Sequence, residues 1–296
     1  VLARPGQLGF CKQKLAWQRS LKVRVTDKST GEVQQLDFPA ETSMIQADSL
    51  NPETLHEVRI TRAGLRGFFG PSHQLELKPE GTGVGFVVTG SGRCGTQSIA
   101  HYLDGLARED GSPIVARHET LAELILQRII DKDVDAVRGF LGGFRHHVEA
   151  APYLSVMPES LEGRNVVHLI RDGRRVVQSG VNRGWFQNDS LWNQIKPRPE
   201  EDVFRNSCHL WTTTNENAEN AASLSVRMED IVSLDETRGQ LLEHLGIRRD
   251  AKPFPQSNRG KSSSTFDSWT KTQRSDFESI CGEVMDRHYP RWRDSW

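Results

Sequence analysis

The feature that most constrains the fold is the stretch GFVVTGSGRCGTQSIAHYL, which runs from Gly85 to Leu103. Its apolar run, Phe86 to Val88, is long enough for one buried strand, and a helical pattern follows the loop. Three glycines interrupt the chain between them, at Gly90, Gly92 and Gly95. Strand, glycine-rich loop and helix in this order are typical of a phosphate-binding cradle, because loop amides and the helix N-terminus both favour an anion.

The loop lacks the lysine of a nucleotide hydrolase. Such a loop carries Lys-Ser or Lys-Thr after its last glycine, whereas here Thr96 follows Gly95 and the nearby cation is Arg93. Arginine presents a planar, permanently charged fork to an oxyanion. Polar side chains also fill the first helical turn, at Thr96, Gln97 and Ser98. A turn that binds no ligand is the alternative that the glycines alone leave open.

The chain divides near residues 81–83, a Gly-Thr-Gly sequence. Residues 1–80 are irregular but β-like: LKVRVTD and VQQLDFP flank a plausible hairpin at Gly31, and HEVRITR and HQLELK alternate apolar and polar residues. This pattern predicts a small antiparallel β-rich accessory region of unknown role. In residues 81–296, strands alternate with helices, which predicts an α/β domain with a parallel sheet flanked by helices. Ligands of such sheets bind outside the carboxyl ends of the strands.

A second candidate phosphate site follows the strand NVVHLI, in the stretch IRDGRRVVQSG. Arg171 stands at the strand end, and Ser179 lies two helical turns further along, so the two side chains converge. Asp172 is expected to cap the helix, with Arg174 and Arg175 as solvated surface charges.

Two further clusters carry chemistry. A strand ending in RHET places His118 and Glu119 at the sheet edge as candidate general bases, although Glu119 also suits a helix N-terminus. A loop near the C-terminus contains Asn258, Arg259, Gly260 and Lys261, and a solvated loop is its alternative reading. His146 and His147 are adjacent, which disfavours metal binding and predicts solvated side chains.

Taken together, these motifs resemble those of the sulfotransferases that use 3'-phosphoadenosine 5'-phosphosulfate (PAPS). GSGRCGTQS is similar to that family's 5'-phosphosulfate loop, with Arg93 where many members have lysine, and IRDGRRVVQSG is similar to its 3'-phosphate motif. The order Arg259-Gly260-Lys261 departs from the family's Arg-Lys-Gly, so the third match is looser. The resemblance covers about residues 84–292 and omits the first 80.

The resemblance implies a P-loop-NTPase-like sulfotransferase fold and an enzyme that moves a sulfuryl group from PAPS to a hydroxyl of a carbohydrate or small natural product. It implies no metal requirement, with Arg93 and either Glu119 or His118 as catalytic residues. The implied PAPS-binding residues are Gly92, Arg93, Cys94, Gly95, Thr96, Gln97, Ser98, Arg171, Ser179, Arg259, Gly260 and Lys261. A P-loop kinase or other nucleotide-binding protein, and a non-catalytic sulfotransferase-like module, are the alternatives.

Composition limits the partners. The net charge of −1 provides no general attraction to nucleic acid, and no apolar stretch approaches the roughly 20 residues of a membrane span. The four cysteines form no CxxC pair, which favours a reducing cytoplasm. Trp185, Phe186 and Trp192 either line an acceptor cleft or pack in the core. The sequence leaves the acceptor's identity and the oligomeric state open.

Overall fold

The computed structural model describes residues 2–4, 7–11, 21–27, 30–38, 44–47, 56–62, 73–77, 84–144, 146–249, 254 and 268–295. The chain forms two compact units. One comprises Val1–Val84 with Arg138–Arg145, and the other comprises Gly85–Val137 with His146–Trp296.

The first unit contains antiparallel strands, as predicted. They are β1 (Leu2–Arg4), β2 (Gln7–Cys11), β3 (Leu21–Asp27), β4 (Val33–Phe38), β5 (Met44–Ala47), β6 (His56–Arg62) and β7 (His73–Leu77). One sheet has the order β1-β2-β5 and the other β4-β3-β6-β7. The hairpin between β3 and β4 turns at Gly31, whose φ of +77° is accessible to glycine at little cost.

The second unit alternates strands and helices. Its first elements are β8 (Phe86–Thr89), α1 (Thr96–Leu103), β9 (Ala116–His118), α2 (Ala122–Ile130), α3 (Val134–Gly143, which extends into the first unit), β10 (Val148–Ala150), β11 (Asn165–Ile170) and α4 (Gly173–Asn182). There follow α5 (Leu191–Gln194), α6 (Val203–Ala221), β12 (Leu224–Arg227), α7 (Met228–Ser233), α8 (Asp235–His244) and α9 (Lys271–His288). Short 3₁₀ helices lie at Pro152–Val156, Pro158–Leu161 and Trp292–Ser295.

Among the described residues of this unit, five strands form one parallel sheet with the order β12-β11-β8-β10-β9. One buried apolar cluster joins the sheet to α1 and α8, and another joins it to α4, α6 and α9. This arrangement confirms the predicted α/β class. Because β8 is the central strand, the glycine loop that follows it emerges in the middle of the carboxyl edge.

In this parallel sheet, β10 was not predicted. β10 lies between β8 and β9, so the RHET strand is not the neighbour of the loop strand. Its sequence, Val148-Glu149-Ala150, is only three residues long and has a carboxylate at its centre. Neither length nor alternation distinguishes such a segment from a loop, because a buried glutamate contradicts the usual apolar pattern of a central strand.

Candidate functional site

The glycine loop is packed too tightly for larger residues. A Cβ on Gly90 would lie 2.2 Å from the backbone oxygen of Leu169 in β11. Gly95 has a φ of +110°, and a Cβ there would lie 2.8 Å from the sulfur of Met228. The loop is therefore pressed against the neighbouring strand and against α7, and its backbone approaches both without intervening side chains.

Helix α1 begins at this loop. Its N-cap residue is Gly95, which has no side chain to cap the first turn. The buried hydroxyl of Ser91 likewise has no hydrogen-bond partner among the described residues. A helix N-terminus whose N-cap residue lacks a side chain, next to a hydroxyl with no described partner, suits a bound anion.

Cys94 offers this site only its backbone. Its side chain is fully buried, and burial raises the pKa of its thiol to about 12, so no thiolate forms. Its amide donates to the backbone oxygen of Ser91 at 3.3 Å, which holds the loop in its turn. In the first turn of α1, Thr96 and Ser98 are buried and Gln97 is exposed.

The two predicted phosphate motifs meet at Arg93. Its Nε donates to the hydroxyl of Ser179 on α4, 3.2 Å away. Nη1 of Arg171, at the end of β11, donates to the backbone oxygen of Arg93 at 3.1 Å. The structure thus brings together three residues that lie up to 86 positions apart in the sequence.

The cations gathered here have no carboxylate partner. Within the described part of the chain, no acidic oxygen lies within salt-bridge distance of Arg93, Arg171 or Arg183. Burial lowers the pKa of Arg93, and the charges of Arg183 and Arg171 lower it further. Like charges held together without a counterion favour a bound anion. Arg183 was not singled out from the sequence, although it follows Ser179 by one helical turn.

The structure corrects the expectation for Arg174. Asp172 does cap α4, accepting from the backbone amide of Arg174 at 3.0 Å. Arg174 itself is buried, whereas Arg175 is exposed as expected. The guanidinium of Arg174 makes two contacts with the Asp172 carboxylate, at 3.1 and 2.7 Å, and donates to the backbone oxygen of Trp292. A neighbouring carboxylate makes this burial possible, and sequence spacing alone does not reveal it.

His118 and Glu119 lie beside the first turn of α1. Nε2 of His118 is 3.1 Å from the hydroxyl of Thr96 and 3.9 Å from Oε1 of Glu119. Burial lowers the pKa of His118, which keeps the ring neutral. Burial also raises the pKa of Glu119, with a further rise from the carboxylate of Glu149. Glu119 has a φ of +52°, a strained conformation of the kind found at functional sites.

Glu149 and His146 form a buried pair behind these residues. Glu149 is completely buried on β10, with its Oε2 2.6 Å from Nε2 of His146 and its Oε1 accepting from the amide of Thr120. The prediction that His146 and His147 are solvated is wrong for His146, which is 8% exposed, and Nδ1 of half-buried His147 accepts from Val115. Among the described residues there is no group of three or more His, Cys, Asp or Glu side chains that would hold a metal.

Aromatic rings cover the other side of the loop. A Cβ on Gly92 would lie 3.0 Å from Trp192 and 3.1 Å from Trp185. Nζ of Lys196 lies over both rings and over Phe186, at 4.9 to 5.4 Å from their centroids. Trp185 is a packing residue, since only 4% of it is exposed.

Lys196 is a buried lysine that sequence analysis missed. It is 3% exposed, it donates to the side-chain oxygen of Asn193, and burial lowers its pKa to about 7. The local sequence NQIKPRP gives no indication that Lys196 is buried, because the rings around it belong to earlier residues, Trp185, Phe186 and Trp192. Lys196 therefore adds an amine of lowered pKa over the two tryptophan rings that cover Gly92.

Asn258, Arg259, Gly260 and Lys261 lie outside the described residues, and their proposed contact with a phosphate stays a prediction. No helix within the described ranges combines the length and apolar character needed to cross a bilayer.

Comparisons with known proteins add little to this geometry. No protein-family model matches the chain, and no curated protein matches it. Among solved structures, it is similar to the sulfotransferase domain from the curacin biosynthetic pathway, with 16% identity over 57% of this chain and 75% of that one and a TM-score of 0.35. A sialyltransferase from Photobacterium damsela matches with 11% identity over 98% of this chain and 66% of that one, with a TM-score of 0.19. TM-scores this low carry no argument about activity.

Proposed function

We propose that the protein is a sulfotransferase that moves a sulfuryl group from PAPS to a hydroxyl acceptor. The observation that carries the proposal is the meeting of Arg93, Arg171 and Ser179 at one point without a carboxylate partner. Two phosphate motifs with unpaired positive charge suit a ligand with two phosphate positions, as in adenosine 3',5'-bisphosphate. The hydroxyl of Ser179 accepts from Arg93, so its own proton stays available for a phosphate oxygen.

Arg93 is our candidate for stabilising the leaving group. During transfer the bond from sulfur to the bridging oxygen breaks, and that oxygen takes up negative charge. A fixed cation beside it stabilises the transition state more than the ground state. Apart from its bond through Nε to Ser179, the guanidinium has no hydrogen bond to the described residues, so its two terminal nitrogens can face this oxygen. Arginine keeps its proton and acts electrostatically.

Glu119 is our candidate base. The acceptor oxygen forms the new bond to sulfur while its proton passes to the Glu119 carboxylate, which balances the charge that leaves with the bisphosphate. Burial raises the pKa of Glu119, and the charge of Glu149, which is hydrogen-bonded by Thr120 and paired with His146, raises it further. The raised pKa makes Glu119 a better proton acceptor than an ordinary carboxylate. His118 remains the second candidate, since its Nε2 lies 3.9 Å from the same carboxylate.

Nucleotide binding tests the proposal directly. We expect adenosine 3',5'-bisphosphate to bind more than tenfold more tightly than adenosine 5'-monophosphate, because a charge-assisted hydrogen bond contributes about 1.5 to 3 kcal/mol. Isothermal titration of both nucleotides measures the ratio. The preference should fall in Arg171→Ala and persist in Arg175→Ala, because the side chain of Arg175 is exposed on α4. Equal affinity of the wild type for the two nucleotides would rule the assignment out.

The pH dependence of turnover identifies the base. A carboxylate base acts deprotonated, so activity should rise with pH through the pKa of Glu119, which lies above its ordinary value of 4.5. Glu119→Gln should lose about a hundredfold or more in rate, together with this acid limb. His118→Gln should keep the limb. Rates measured from pH 4 upward decide the point, and the opposite pattern assigns the base to His118.

A further inference from the structure

The hydroxyl of Tyr153 is a buried polar group with no role in the steps above. Tyr153 is 1% exposed, and its hydroxyl has no hydrogen-bond partner among the described residues. Leaving a buried donor unmatched costs free energy, so such groups are rare in folded proteins. A ligand that supplies the missing acceptor atom would account for the cost.

Tyr153 is held firmly beside the glycine loop. It lies on the 3₁₀ helix Pro152–Val156, which begins after Ala151, and the backbone oxygen of Ala151 accepts from the hydroxyl of Thr89 at 2.8 Å. The hydroxyl of Ser155 donates to the backbone oxygen of Gly90 at 2.9 Å. These two bonds tie the 3₁₀ helix to the end of β8, so the position of the phenol is fixed by the same backbone that forms the loop.

The phenol lies close to both the glycine loop and the strand end that carries Glu119. Its ring meets the Trp192 ring edge-on, with centroids 6.2 Å apart, and Trp192 in turn covers Gly92. The amide of Glu119 donates at 3.2 Å to the backbone oxygen of Ala150, three residues before Tyr153. Burial raises the pKa of Tyr153 well above its usual value, and the negative charges of Glu149 and Glu119 raise it further, so the phenol stays protonated as a neutral donor.

We propose that the Tyr153 hydroxyl donates a hydrogen bond to the acceptor, at an oxygen next to the hydroxyl that is sulfated. The inference rests on the proposed function. The reacting oxygen gives its proton to Glu119 and a lone pair to sulfur, and a hydrogen bond donated to it would reduce its nucleophilicity. A neighbouring oxygen receives the bond without this penalty. The acceptor class is therefore a compound with adjacent oxygen atoms, such as a vicinal diol.

Folding stability tests whether the hydroxyl is unmatched in the free protein. Tyr153→Phe removes only that oxygen, so we expect its Tm to equal or exceed that of the wild type. Tyr289→Phe is the matched control, because the Tyr289 hydroxyl donates to Glu229 at 2.9 Å and its loss should lower the Tm by a few degrees. An equal loss of Tm in both variants would show that the Tyr153 hydroxyl has a hydrogen-bond partner in the free protein, and it would overturn the proposal.

Binding tests the role itself, with trans-1,2-cyclohexanediol and cyclohexanol as probes. With the protein saturated by adenosine 3',5'-bisphosphate, calorimetry should find the diol about two- to tenfold tighter, the contribution of one neutral hydrogen bond. Tyr153→Phe should abolish the preference, and Tyr102→Phe, which alters a buried tyrosine of the α1 core, should retain it. The proposal fails if the wild type shows no preference or if Tyr153→Phe keeps one. If the bisphosphate itself did not bind, the result would instead contradict the proposed function.

Discussion

Arg93→Ala is expected to lower kcat by about a hundredfold to a thousandfold while changing the KM for PAPS little. Removing one preorganised donor from a comparable oxyanion site costs about 2.7 to 4 kcal/mol in the barrier. The effect falls on kcat because the charge that Arg93 faces grows only as the sulfur–oxygen bond breaks. Steady-state kinetics with PAPS and an acceptor found by screening would measure both constants.

Three further variants separate this role from simple anion binding. Arg171→Ala should chiefly raise KM, since a 3'-phosphate carries the same charge before and during transfer. Arg93→Lys should retain more activity than Arg93→Ala, because a point charge partly replaces the guanidinium. Arg175→Ala, at an exposed position of α4, should behave as wild type. A raised KM at unchanged kcat in Arg93→Ala would make Arg93 a ground-state anchor and contradict our mechanism.

The class of the fold could be predicted because its strongest signals are local. The apolar run before Gly90 and the helical pattern after Gly95 identify β8 and α1 from adjacent residues alone. β10 escaped prediction because the burial of its central carboxylate depends on side-chain and backbone partners outside the strand. Glu149 occupies a parallel strand only because His146 and the Thr120 amide satisfy its two oxygens, and no pattern of apolar residues records such a pairing.

In the candidate site, too, features set by local sequence could be predicted and features set by tertiary packing could not. Arg171 and Ser179 could be predicted to converge, since a strand end and the face of the next helix fix their directions. The burial of Lys196 and Tyr153 could not be predicted, because it depends on how the Trp185 and Trp192 rings pack against Gly92. Tertiary packing decides which polar residues leave water, and single-sequence reasoning assigns such residues to the surface by default.

The position of Arg171 depends on contacts of the next residue that the sequence predicted only in part. The residue after it, Asp172, caps α4 and forms a buried ion pair with Arg174. The amide of Asp172 also donates to the carboxylate of Glu229, which accepts from Tyr289 as well. The turn between β11 and α4 is therefore fixed on several sides, and this is the turn that points Arg171 toward the backbone of Arg93.

Asp172→Ala should consequently destabilise the fold by about 3 to 5 kcal/mol, the cost of breaking a buried ion pair on one side only. The buried guanidinium of Arg174 would lose its carboxylate, and α4 would lose its cap. Denaturant unfolding measures the loss, with Arg175→Ala as a control expected within about 0.5 kcal/mol of wild type.

A double variant separates the ion pair from the cap. Asp172→Asn with Arg174→Met keeps a capping side chain and removes both charges, so it should recover much of the stability lost in Asp172→Ala. Its affinity for adenosine 3',5'-bisphosphate should stay close to that of the wild type, because Arg171 remains on an intact turn and Ser179 remains on α4. If Asp172→Ala unfolded like the wild type, the ion pair would not support this turn, and the position of Arg171 would need another explanation.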